Sequence, residues 1–364
     1  MPAVGFRVQL TELTPTTHLI TFIGDLGAAS THVIRQALAD HIGPGRQLLV
    51  DLSRADRVER TASALPGQCV VITGGRQLPG SVSTASTIDE ARAILAAQGH
   101  PLPVVEDSER TTSELDIRTL RNRALIADAL DIIQQRYDQP TAEDAFALLG
   151  QASQRHNVPV RILAAAVLRV PAPKGTTWFP GRLKAPQPPL SFPAGPAAAR
   201  TVRNVLRSLL TVVMRATDAN SGDAQSVAPL DDGLVLESQQ GMPDELVRDF
   251  SWIALADSTP CTRAYRDRAH VDADITTTET ISEEAREALL SHGIRRMYST
   301  PLLALSGRCL GVISTHHADT AGLHDGVVQV VDRLATETGR WLDWHRKTVV
   351  FDALERLHQL ATAE

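Results

Sequence analysis

Side chains able to do acid–base, nucleophilic or metal chemistry occur throughout this 364-residue chain, but their spacing assembles no reaction centre. There is no G-x-S-x-G, no GxxxxGK[ST], no H-E-x-x-H and no CxxC, so the common routes to an activated serine, a cradled phosphate or a bound zinc are missing. Asp231-Asp232 beside a glycine and Glu283-Glu284 at a helix start read as solvated turn and cap residues. His316 and His317 are neighbours on an apolar strand, and neighbours on a strand point to opposite faces, so the pair is not expected to share an ion. Cys69, Cys261 and Cys309 are odd in number and far apart, which fits a reduced, cytoplasmic protein, and Cys261 and Cys309 fit small buried hydrophobes better than a redox pair or a haem ligand. No catalytic residue, metal or cofactor is expected, and the chain does not read as an enzyme.

Composition speaks against a protein whose whole surface grips nucleic acid. The net charge is −6 and the isoelectric point is near 6.1, which gives no global attraction to polyanions. Hydrophobic residues make up 43% and charged residues 21%, as in ordinary globular chains. No run of about eighteen apolar residues is present to span a bilayer. The start, MPAVGFRVQL, lacks the basic, apolar and small-residue segments of a secretory signal, so none is expected.

The element that organises the chain lies between Asp116 and Arg169. Leu125, Ile126, Ala129, Ile132 and Ile133 form a broad apolar stripe at helical spacing. Asp138-Gln139-Pro140 ends that helix, because a residue before proline avoids the α region. Thr141 with Asp144 three residues on reads as a cap for a second helix carrying Ala145, Phe146, Leu148, Leu149 and Ala152. Pro159 then opens a third, with Val160, Leu163, Ala164 and Val167 as its stripe. Three short amphipathic helices joined by two tight loops make a bundle.

The run Arg123-x-Leu125-Ile126-x-x-Ala129, then Arg136-Tyr137, then Thr141-Ala142-Glu143-Asp144-Ala145-Phe146-x-Leu148-Leu149 and Ala152-Ser153-Gln154, resembles the ANTAR family over about fifty residues. These are RNA-binding three-helix domains at the output end of bacterial antitermination regulators, which act by stabilising RNA hairpins. The resemblance implies an RNA partner, and phosphate contacts would need cations beside polar or aromatic groups. Between residues 115 and 170 stand seven arginines and no lysine against six acids. Arg121, Arg123, Arg136, Tyr137 and Arg155 are the expected RNA-binding residues. The sequence departs from the family at Leu130-Asp131, where a basic residue and a glycine are usual, at Asp138, where glycine is common, and at Gly150, where a basic residue follows the double leucine.

The flanks read as two further domains. Residues 1–105 carry an alternation at Phe6, Val8 and Leu10, a strand at His18–Ile23, and a helix at Ala29–Ile42. Strands at Gln47–Leu52 and Cys69–Thr73 and a capped helix at Ser86–Leu95 follow. Ile23-x-Asp25-Leu26, Leu48-Leu49-Val50-Asp51-Leu52-Ser53 and Ser86-Thr87-Ile88-Asp89-Glu90-Ala91 resemble a STAS domain, the fold of anti-sigma-factor antagonists. The family's phosphorylation turn after Ser53 is replaced by Arg54–Thr61, so no serine switch is expected. The segment is either a degenerate STAS-like interaction domain with a protein partner or an unrelated small α/β unit.

Residues 106–115 read as a linker, and 171–196, with eight prolines, as another. Trp178-Phe179 within it either pins the linker to a neighbouring domain or docks a partner. From 197 to 345 a helix at Val202–Met214 precedes strands at Ala224–Ala228, Gly233–Ser238, Val271–Ile275, Met297–Leu305 and Cys309–Thr315. Helices are expected at Met242–Ile253, Ser282–His292 and Leu323–Leu342. Asp223-Ala224-Gln225, Thr259-Pro260-Cys261, Gly293-Ile294, Tyr298–Leu302 and Gly307-x-x-Leu310-Gly311-Val312-Ile313-Ser314-Thr315-His316 resemble a GAF domain. That resemblance implies either a small-molecule pocket, with Cys261, Tyr265, Tyr298 and His316 as lining candidates, or a domain that only dimerises. A final helix, 346–364, either extends this domain or makes a homodimer contact.

The chain is therefore expected to be multidomain: an N-terminal STAS-like α/β domain at 1–105, a central all-α three-helix ANTAR-type bundle at 106–170, and an α+β GAF-like sheet with flanking helices. The expected role is a cytoplasmic transcription regulator of the antiterminator type, binding RNA hairpins. The alternative is a non-catalytic signalling or dimerisation scaffold whose helical module no longer binds RNA.

Overall fold

The computed structural model describes residues 7–26, 30–39, 41–56, 58, 65–66, 69–78, 82–99, 112–115, 117–192, 201–228, 230, 233–279 and 281–363. Arg57, Glu59, Arg60 and Thr61 in the segment standing for the phosphorylation turn, the linker residues 106–110, and Asp231-Asp232 lie outside them. The chain divides into two compact units, residues 2–125 and 126–364.

The first unit is built on a six-stranded mixed sheet. β1 (Arg7–Thr14), β2 (Thr17–Asp25), β3 (Gln47–Asp56), β4 (Val70–Ile72), β5 (Ser83–Ala85) and β6 (Thr112–Leu115) stand in the order β5-β4-β3-β2-β1-β6. β1 pairs antiparallel with β2 and β6, while β2 to β5 run parallel. The parallel strands are covered on both faces, which explains their unbroken apolar runs. α1 (Ser30–Ala39) places Val33, Ile34, Ala37 and Leu38 on one core, and α2 (Ile88–Ala97), capped by Thr87, places Ala91 and Leu95 on the other. The last four residues of the expected linker are strand β6, because Ser113 and Leu115 pair with the free edge of β1. An exposed edge is a liability that a short covering strand removes.

The second unit holds the helical module and a second six-stranded sheet. The module comprises α3 (Ile117–Tyr137), which begins in the first unit, α4 (Ala142–His156) and α5 (Val160–Arg169). α3 ends in a left-handed residue, Asp138 at φ 50°, and the Gln139 N–H returns to the Gln134 carbonyl at 3.1 Å. That closure needs a positive φ, which accounts for the glycine common here in the ANTAR family. The same device recurs at Asn157, φ 53°, with the Val158 N–H on the Ser153 carbonyl at 3.0 Å. Thr141 caps α4 through the Asp144 N–H at 3.1 Å, as the sequence predicts.

α6 (Val202–Thr217) follows the linker, and β7 (Ser221–Val227), β8 (Gly233–Gln240), β9 (Trp252–Ala254), β10 (Val271–Asp274), β11 (Arg296–Leu303) and β12 (Cys309–His317) form the sheet β10-β11-β12-β7-β8-β9, antiparallel throughout. The helix expected over Met242–Ile253 is only α7 (Asp244–Asp249), and its last part is β9, which closes the sheet edge. α8 (Pro260–Asp267), with a Thr259 capping box, and α9 (Glu283–Ser291) cover one face together with α7. α6 and α10 (Asp325–His345) cover the other. A π-helical turn, Arg346–Val350, leads into α11 (Phe351–Ala361), which leaves the sheet and packs on α4 and α5.

Candidate nucleic-acid interface and its internal cover

The helical module exposes polar and aromatic groups along α4. Ala145, Leu149, Ala152 and Ser153 face the bundle interior. Phe146, read from the sequence as part of that apolar set, is instead 47% exposed. Residue 146 lies about 100° around the helix from Ala145 and falls outside the buried sector. An exposed ring of this kind is a surface on which an unpaired base can stack. Gly150, one turn on, has open space where a Cβ would stand.

The five expected RNA contacts are divided between the two units. Arg123 is exposed and Arg121 half-buried on the first part of α3, within the first unit. Arg155 is exposed in the last turn of α4. Arg136 and Tyr137, at the end of α3, are brought together, but by the protein's own chain. The Arg136 guanidinium lies 5.1 Å from the Trp178 ring centre. The Tyr137 hydroxyl meets His358 Nδ1 at 3.1 Å. Because His358 Nε2 lies 2.8 Å from the Gly175 carbonyl, it must donate there, which leaves Nδ1 of the neutral ring to accept the Tyr137 proton. Burial raises the Tyr137 pKa, and Glu355 adds to the shift against the opposing Arg136 charge.

That cover is built from the proline-rich linker and α11. Trp178 is 5% exposed and donates its indole N–H to the Pro171 carbonyl at 2.9 Å. The Trp178 and Phe179 backbone N–H groups both donate to Glu355 Oε2, at 2.8 and 3.2 Å. Phe179 stacks on Phe351 with centroids 4.4 Å apart. Arg182 and Lys184 pair with Asp352, the latter at 2.9 Å. The aromatic pair of the linker thus pins it to α11, and the final helix packs on the module as an internal clamp.

The four lining candidates of the GAF-like sheet do not form one pocket. His316 lies opposite Met297 in the β11–β12 ladder and faces the core that holds Cys261 and receives Tyr265. Tyr298 is one residue over and faces the other side, where its ring meets His317 at 5.2 Å and its hydroxyl bonds the Ala321 carbonyl and the Leu323 N–H. The alternation of side chains along a strand makes this unavoidable. His316 is fully buried, with Nε2 3.0 Å from Asp223 Oδ2 and Nδ1 3.1 Å from Ser221 Oγ. Burial pushes the Cys261 thiol up to about 12, with the Asp223 charge adding to the shift, so it stays protonated and unreactive. Cys69 and Cys309 are also free, buried thiols. Among the described residues no group of three or more His, Cys, Asp or Glu stands close enough to hold a metal. No described helix is long and apolar enough to cross a membrane.

Comparison with known proteins adds the following. No curated protein sequence matches the chain. Solved structures similar to it include a GAF domain/HD domain protein from Geobacter sulfurreducens at 12% identity and TM-score 0.35, covering 40% of this chain and 95% of that one. Another is the GAF-B domain of DevS from Mycobacterium smegmatis, at 18% identity and TM-score 0.31, covering 39% and 93%. A third is the GAF domain of a phosphoenolpyruvate-protein phosphotransferase from Coxiella burnetii, at 12% and 0.36, covering 55% and 94%. These GAF-domain neighbours fall on the C-terminal part, and at such scores nothing further rests on them. Residues 117–168, the three helices α3, α4 and α5, match the model of the ANTAR domain family.

Proposed function

We propose that this protein is a transcription regulator of the antiterminator type that binds RNA hairpins through α3, α4 and α5. The observation that carries the reading is the ANTAR match at 117–168, which covers the three helices α3, α4 and α5. Arg123, Arg155 and Phe146 are the exposed contacts in the clamped form. Arg136 and Tyr137 join them when the linker and α11 release the end of α3. The GAF-like sheet serves as the sensor, since α10 runs on through the π turn into the clamping helix. The N-terminal sheet, with its STAS-like order of sequence signals, serves as a protein-interaction domain, and the chain acts as a homodimer in the cytoplasm.

A second reading, a scaffold whose module has given up RNA, is favoured by one specific observation. Tyr137 is bonded to His358 and Arg136 is covered by the Trp178 ring, and Leu130, Asp131 and Gly150 replace family residues that would add charge or closeness. Filter binding of the full chain to paired-hairpin and unpaired RNA separates the two. The regulator binds the hairpin, and Arg155→Ala weakens it several-fold. Retention of neither RNA above background, unchanged by Arg155→Ala, supports the scaffold.

A further inference from the structure

A cavity of about 420 Å3 lies within the second unit, between α5 of the helical module and the sheet side formed by α6, the end of α10 and the π turn. It is separate from the face that carries Cys261, Tyr265 and His316, none of which lines it. Its volume is that of sites that enclose small organic ligands, typically about 300–1,000 Å3.

Three features define what would fill it. The walls are mostly apolar: Ile162 and Ala165 from α5, Val202 from α6, Leu342 from α10, and Val350 and Phe351 from the π turn and the start of α11. The charged groups at the wall are four arginines (161, 169, 203 and 346) and one acid, Glu237. Glu237 is already neutralised by Arg161, at 2.9 and 3.2 Å, and accepts from Ser226 Oγ at 2.9 Å. Arginines thus outnumber acids at the wall four to one, and the first turn of the sixteen-residue α6 turns its positive dipole end to the same wall. Third, His345 stands at the wall, 4% exposed, and its Nε2 has no hydrogen-bond partner among the described residues. A buried imidazole nitrogen left without a partner costs free energy that a ligand polar atom would recover.

We propose that this cavity binds a small organic acid, a carboxylate or sulfonate carried on an aromatic or branched aliphatic body. The apolar body lies against α5, Leu342 and Phe351, and the anion faces the arginines at the mouth. Because one wall is helix α5 and another the turn that launches α11, occupancy ties the sensor sheet to the clamp on the module. A π turn within a helix is often retained at such sites.

The test uses the full chain and two dyes of one shape. 8-Anilinonaphthalene-1-sulfonate carries the anion, and N-phenyl-1-naphthylamine does not. Saturable one-to-one binding of the sulfonate is expected in a fluorescence titration. Ala166→Trp, which fills the cavity from α5, is expected to abolish binding of both dyes. Arg203→Glu, an exposed reversal at the mouth that leaves the fold intact, is expected to weaken the sulfonate about tenfold and the neutral dye less than twofold. Sulfonate binding that neither substitution changes, binding without saturation, or equal weakening of both dyes by Arg203→Glu would overturn the proposal.

Discussion

Replacing Trp178 by alanine is the most informative single change to the clamp. The substitution removes a nearly buried indole whose contacts are Arg136, His358, Phe179 and the Pro171 carbonyl. A buried Trp→Ala change costs about 3–5 kcal/mol in a core. The indole N–H bond contributes about 1 kcal/mol of such a figure, and the guanidinium–ring contact about 1 kcal/mol more. Pro171 is exposed, so its carbonyl rehydrates, and the low end of about 3 kcal/mol applies. The Glu355 bonds to the linker backbone survive, because they go to N–H groups rather than to the ring. A loss of about 3 kcal/mol raises the population with the linker and α11 released about 150-fold (~1.4 kcal/mol per factor of ten). Amide exchange of α11 and linker proteolysis are the assays, and both should accelerate by roughly that factor while the sheet core keeps its protection. If α11 and the rest of the second unit lose protection together, or neither changes, the clamp is not a separable element and the reasoning fails.

Other predictions follow from single positions. Gly339→Ala would normally gain about 1 kcal/mol inside a helix. Here a Cβ would stand 2.1 Å from the Leu303 carbonyl oxygen, so we expect a net loss of about 2 kcal/mol or more, read as a lowered denaturation midpoint. Gly150→Arg enters open space on α4 beside Phe146. It should gain a few tenths to 1 kcal/mol in stability and tighten RNA binding, and unchanged retention on filters would refute the placement of the RNA face there. Burial alone lowers the His345 pKa from 6.5 to about 4. The unfolded chain therefore takes up this proton first, and stability, intact above pH 6.5, falls as pH drops towards 4, by about 3 kcal/mol from this group. The charged groups of the cavity wall around it are Arg161, Arg169, Arg203, Arg346 and Glu237. His345→Phe should flatten that part of the acid denaturation profile, and an identical profile would contradict it.

Local signals were legible wherever the physics is local. The Thr141 cap and the capped helix after Ser86 follow from neighbours a few residues apart. The linker aromatics could be read as anchors because proline density forbids regular structure while Trp and Phe still seek burial. What they anchor to could not, since Glu355, Phe351 and His358 lie some 170 residues further on. For the same reason Arg136 and Tyr137 looked available from the sequence. The packing of α11 on α4 and α5 is likewise a tertiary outcome. Helix and strand periods place two further residues. Phe146 lies outside the buried sector of α4 on a helical wheel, and period-two counting separates Tyr298 from His316.

The central claim is that α3, α4 and α5 bind RNA and that the linker and α11 restrain them. Salt-dependent filter binding of a hairpin RNA by the full chain and by Trp178→Ala tests it most directly. The account predicts binding at low salt with a negative slope of log K against log salt. It also predicts tighter binding and a slope steeper by about 0.7–0.9 in Trp178→Ala, as Arg136 gains a phosphate. Hairpin binding that is absent in both proteins at low salt, with the fold intact, would contradict it.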